Sequence, residues 1–273
     1  MKTIWGIIII FCISVCYAKE KNIITQDPFI SYYPHLKENI CRKKSFDIRW
    51  VSHLNKQQQI KEWESYKNVC SKDGSYQLIL SEMYLYSGNH KNREAEKLLV
   101  NSIKNADYDT RYHKALLVEV YVSLYKLEEA LQLAKSMVKD YPNFYGGYQG
   151  LAVYFLNQKD WEKAKFYLDT AVLLNNQSPV LYRLLTVASY ELRDDEKTHQ
   201  FYEQALSLNA ATTFADKHSS LRMIAVFILE KNFQAAKQLL DNLLKFNPEV
   251  KDDYRFANLR LQCHEGLSDS AKK

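Results

Sequence analysis

Glycine and proline are scarce, at 7 and 5 residues in a chain of 273. Each weakens a helix interior, by roughly 1 and 3 kcal/mol, and each is what tight hairpins and bulges demand. Their scarcity excludes collagen-like and low-complexity classes and argues against a sandwich or barrel built on many hairpins. An excess of one charge is missing as well. Lys and Arg number 37 against 32 Asp and Glu, a net charge of +5. Nucleic-acid binding usually needs a basic stripe on one face, so no nucleic-acid partner is expected. Catalytic signatures are absent too. The seven histidines (His35, His53, His90, His113, His199, His218 and His264) show no HExxH or comparable metal spacing, and no GxSxG, P-loop or GxGxxG occurs. No catalytic residue, metal or cofactor is expected. What the chain does have is an ordinary core-forming composition, 47% hydrophobic and 25% charged. Its 20 tyrosines suggest amphipathic packing faces or a partner surface.

Only one long apolar run occurs, Ile4 to Val15, broken by Gly6 and Ser14. It is shorter than the ~20 residues that span a bilayer. Cys16-Tyr17-Ala18 follows, then the charged Lys19-Glu20-Lys21. This order of charged, apolar and small-residue regions predicts a secretory signal peptide over 1–18, cleaved after Ala18. Two alternatives stand: an uncleaved membrane anchor, and a lipoprotein signal with a lipid on Cys16. The second fits poorly, because Val15 occupies a site that normally takes Gly, Ala or Ser. The mature chain is expected to be exported, periplasmic or secreted, with no transmembrane segment.

Export implies an oxidising compartment. Cleavage leaves Cys41, Cys70 and Cys263. Cys41 and Cys70 share the N-terminal region and form the natural disulfide pair, the alternative being two unlinked buried thiols. Closing a loop of about 30 residues is worth roughly 3 kcal/mol in the chain-entropy picture. Cys263 is expected to be buried on the apolar face of a terminal helix.

The middle of the chain repeats. Ala130 and Ala164 stand 34 residues apart, and so do Ala171 and Ala205. Within 145–178, Tyr148, Leu151, Ala152 and Phe155 share one helical face, and Trp161, Ala164, Leu168 and Ala171 share another. The segment Asn157-Gln158-Lys159-Asp160 separates the two helices. One such pair cannot bury its apolar face alone, so the units must stack.

These residues carry a resemblance. The chain is similar to tetratricopeptide-repeat (TPR) proteins, whose period is 34 residues. In the best unit, Tyr148, Leu151, Ala152, Phe155, Ala164, Leu168 and Ala171 occupy the family's W-L-G-Y-A-F-A sites, with Asn176 at the final proline site. Unit 111–144 matches through Leu117, Tyr121, Ala130 and Pro142. Unit 179–212 matches through Tyr182, Leu185, Tyr202 and Ala205, with Thr198 in place of the usual alanine. Unit 217–250 matches through Phe227, Ala236, Leu240 and Pro248, offset by four extra residues, Thr213 to Asp216. A more divergent unit, 77–110, looks Sel1-like. The resemblance implies an all-α fold, a right-handed α-solenoid of about five helix pairs with flanking helices. The organisation expected is signal peptide 1–18, extended lead 19–45, N-terminal helical cap 46–76, repeats 77–250, and a closing helix with a polar, fraying tail over 251–273.

The resemblance also implies a site. In the family, the first helices of successive units line a concave groove. The corresponding positions here include Tyr112, Glu119, Gln149, Val153, Leu156, Arg183, Val187 and Tyr190, the candidate partner-binding set. Chaperone-binding members clamp a carboxylate using an asparagine, and Glu119, Val153 and Val187 occupy that site, so the clamp is expected to be absent. Val153 and Val187 have inter-helix core as their alternative, and Glu119 has a solvated charge without a partner. The functional expectation is a non-catalytic protein-binding scaffold of a bacterial envelope assembly, such as a pilus, secretion or cell-wall machine. The alternative is an accessory or regulatory subunit of an envelope enzyme in peptidoglycan or exopolysaccharide synthesis.

Overall fold

The computed structural model describes residues 56–66, 68–70, 73–86, 91–104, 106 and 109–271. The signal peptide, the lead, Cys16 and Cys41 lie outside the described residues. The chain divides into two compact units, Met1–Asn89 and His90–Lys273. Among the described residues there are twelve α-helices, one 3-10 helix and no strand.

The first unit contains α1 (Lys56–Ser65) and α2 (Gly74–Tyr86), packed on each other. Trp63 and Tyr76, each 1% exposed, join them with ring centroids 5.2 Å apart. The Tyr76 hydroxyl donates to the Trp63 carbonyl at 2.7 Å. Burial, and then the nearby Glu64 charge, pushes its pKa up to about 12. Cys70, in the turn between the helices, is also buried. The expected repeat over 77–110 corresponds to α2 and, in the second unit, α3.

The second unit opens with α3 (Asn92–Lys104). Four helix pairs follow. They are α4 (Arg111–Ser123) with α5 (Leu127–Asp140), and α6 (Tyr145–Asn157) with α7 (Trp161–Leu174). Then come α8 (Pro179–Glu191) with α9 (Asp195–Ala215), and α10 (Lys217–Leu229) with α11 (Phe233–Phe246). A 3-10 turn (Pro248–Asp252) leads to α12 (Tyr254–Ala271), which closes the stack on α10 and α11.

The turn inside each pair is the same four times. Tyr125, Lys159, Arg193 and Lys231 adopt left-handed φ angles of 58°, 59°, 63° and 59°. Each lies just past the end of a first helix, where glycine is the usual residue because it has no Cβ to crowd the carbonyl. The following amide reaches back to the carbonyl five residues earlier. Lys126 N–H donates to Tyr121 O at 2.9 Å, Asp160 to Phe155 at 3.0 Å, Asp194 to Ser189 at 3.0 Å and Asn232 to Phe227 at 2.8 Å. This is the Schellman closure, and the residue that completes it also begins the second helix. Asp160, Asp194 and Asn232 use their side chains to accept from the amides of Lys163, Lys197 and Ala235. Lys126 has no acceptor to offer and caps nothing with its side chain. Its ammonium instead pairs with Glu96 on α3. Glu128 and Glu129 sit in the first turn of α5, where the helix dipole favours acids.

The second helices also end alike. Tyr141, Asn175 and Asn247 leave the helix with φ/ψ of −134°/64°, −153°/88° and −140°/77°. Asn209 has the same geometry, −159°/93°, but inside α9. The four extra residues of this unit therefore add a further helical turn beyond the ordinary stop. Hydroxyls fasten that turn to the core. Thr213 donates to the Ala205 carbonyl at 3.0 Å, Ser220 to the Thr213 carbonyl at 3.1 Å, and the Tyr202 hydroxyl lies 2.9 Å from Ser220 Oγ. Burial raises the Tyr202 pKa, so the phenol stays neutral.

The core repeats with the chain. Ala130, Ala164, Thr198 and Ala236 are all 0% exposed at corresponding positions. Thr198 fits an alanine site because its hydroxyl is taken up by the Asp194 carbonyl at 2.8 Å. On α6, Gly150 sits against α4 and α5. A Cβ there would lie 3.1 Å from Val118 Cγ1 and 3.3 Å from Ala134 Cβ. At the C-terminal end, Phe256 and Cys263 are buried, and the free Cys263 thiol donates to the Phe233 carbonyl at 3.2 Å. The tail expected to fray from Ser268 instead continues α12 to Ala271. Asp253 anchors this helix. Its carboxylate accepts from the Arg255 amide at 2.9 Å and pairs with Arg255 and Lys217 at 3.0 and 3.2 Å.

Candidate functional site

The first helices approach one another unevenly, α6 and α8 touching only lightly. α4 packs directly on α6, and α8 on α10, whereas the second helices α5, α7 and α9 scarcely touch one another. Between the first two pairs, the closer approach on the first-helix side places that side on the inside of the curve. After the extra turn of α9 the pattern changes, and α9 also packs on α11.

The structure distributes the sequence-derived candidates among three roles. Tyr112 is half-buried, edge-on to Phe144 with centroids 5.0 Å apart, and joins the core shared by α4, α5 and α6. Glu119 and Gln149 meet across adjacent first helices, Gln149 Nε2 donating to Glu119 Oε1 at 2.8 Å. Glu119 is therefore not a partnerless charge. Val153, Leu156 and Tyr190 are half-buried and rest on successive core clusters. Val187 and Arg183 are half-buried on α8, and Val187 is in none of those clusters.

Three further residues belong to this face. Arg222 on α10 spans to α8. Its Nε lies 3.1 Å from Glu191 Oε1, and its guanidinium sits 5.9 Å from the centre of the Tyr190 ring. Ala225 and Ile228, also on α10 and half-buried, continue the line of Val187 and Tyr190. The four-residue offset hid them, since a strict 34-residue step from Val187 and Tyr190 lands short of them. Counting from the Lys231 turn would have found both.

The face carries the charged side chains Glu119, Arg183, Glu191 and Arg222. Glu191 and Arg222 are paired, and Glu119 is bonded to Gln149. Val153, Leu156, Val187, Tyr190, Ala225 and Ile228 are half-buried at corresponding positions of α6, α8 and α10. Among the described residues, no group of three or more His, Cys, Asp and Glu stands close enough to hold a metal ion. None of the described helices is long and apolar enough to cross a membrane.

No protein-family model matches the chain, and no curated protein matches it either. Solved structures do. A thermophilic TPR protein of Thermus thermophilus is 18% identical, with a TM-score of 0.54 over 71% of this chain and 98% of that one. PilF of Pseudomonas aeruginosa is 14% identical, with a TM-score of 0.51 over 81% and 97%. A chain of the APC/C hetero-tetramer Cut9–Hcn1 is 13% identical, with a TM-score of 0.58 over 86% of this chain and 45% of that one. At these identities the likeness is one of architecture. The protein has the TPR fold, an all-α solenoid of stacked helix pairs.

Proposed function

We propose that this protein is a non-catalytic protein-binding scaffold of the bacterial envelope that holds a partner polypeptide on the face made by its first helices. The half-exposed apolar side chains on that face carry the reading. A stack that merely buried its core would have no need to leave Val187, Ala225 and Ile228 half-exposed at corresponding positions of adjacent first helices. Export is supported by the sequence pattern over 1–18, which motivates a mature chain starting at Lys19.

The test places a photo-cross-linking amino acid at Val187 and, as a control, at the exposed Gln204 on α9, in cells that make the protein natively. A discrete envelope protein captured from Val187 and not from Gln204 is the expected result. Capture from Gln204 alone would move the binding surface elsewhere. Intact-mass analysis of the recovered protein checks the location. A cytoplasmic chain retaining Met1 would overturn the envelope reading.

A further inference from the structure

We draw no further inference here: the strongest candidate, the exposed apolar patch of Phe166, Leu173 and Leu174 on α7, is an unpartnered helix face, and nothing in the structure shows what covers it.

Discussion

The four left-handed turn residues allow a quantitative test of how the pairs are closed. A residue with a Cβ in the left-handed region costs about 1–2 kcal/mol relative to its right-handed alternatives. Lys159 bears that cost at φ 59° while its side chain is exposed. Lys159→Gly removes the crowding and adds unfolded-chain entropy worth about 0.5–1 kcal/mol against it. The net expectation is a stabilisation of about 0.5–1 kcal/mol. Arg193→Gly and Lys231→Gly should behave alike, because the Schellman amides close at 3.0 and 2.8 Å there as at Lys159. Each site lies in a separate helix pair, so the three gains should add to about 1.5–3 kcal/mol. For a unit of this size, 1 kcal/mol moves the thermal midpoint by roughly 2–4 °C. Thermal melts followed by far-ultraviolet circular dichroism measure this, with Lys159→Ala as the control. Alanine removes the same side chain and keeps the Cβ, so it should bring no gain. Equal midpoints for the Gly and Ala variants would refute the strain argument. A drop with Gly would mean that the Lys159 side chain contributes to the turn in some other way.

Three more outcomes are expected. Ala164 is 0% exposed, so Ala164→Glu forces a carboxylate into the packed interior and should cost at least ~3 kcal/mol. Val153→Glu, at a half-buried site, should cost about 1 kcal/mol, and equal losses of helicity would make Val153 core rather than groove. The Arg255 and Lys217 partners hold the Asp253 carboxyl well below the usual carboxylate range. Asp253→Asn should then cost about 1–2 kcal/mol near neutral pH. That difference from wild type should persist above about pH 5 and shrink as the pH falls below about 4, where unfolded aspartates protonate; denaturant titrations at several pH values would show a flat difference if the pairing were unimportant. Finally, non-reducing peptide mapping of exported protein should recover Cys41 joined to Cys70, with Cys263 as the free thiol. A peptide linking Cys263 to either would defeat the assignment.

The amino-acid order by itself determined the period, the helix pairs and where each begins. Those depend on interactions within a few residues. A small residue or Thr198 recurs where helices meet, Asp160, Asp194 and Asn232 supply an acceptor to an amide three residues on, and apolar positions recur at three and four. A local rule can be read along one dimension. The extra turn in α9 was visible as four surplus residues, but not as a continuation past Asn209, because its anchors are the Ala205 carbonyl and Ser220 on another helix. The same holds for α12, whose last turns persist beyond Gly266 where the helix lies against the Phe233 ring. Tertiary structure alone decided the character of the groove. Glu119 and Gln149 lie 30 residues apart, and Glu191 and Arg222 lie 31 apart. They meet only because adjacent pairs stack at a particular angle and spacing. That angle is set by the summed packing of small and large side chains between helices, to which every residue of the interface contributes a little. It turned the two acids of the groove from open charges into engaged ones, and left half-exposed apolar side chains as the surface still to be filled.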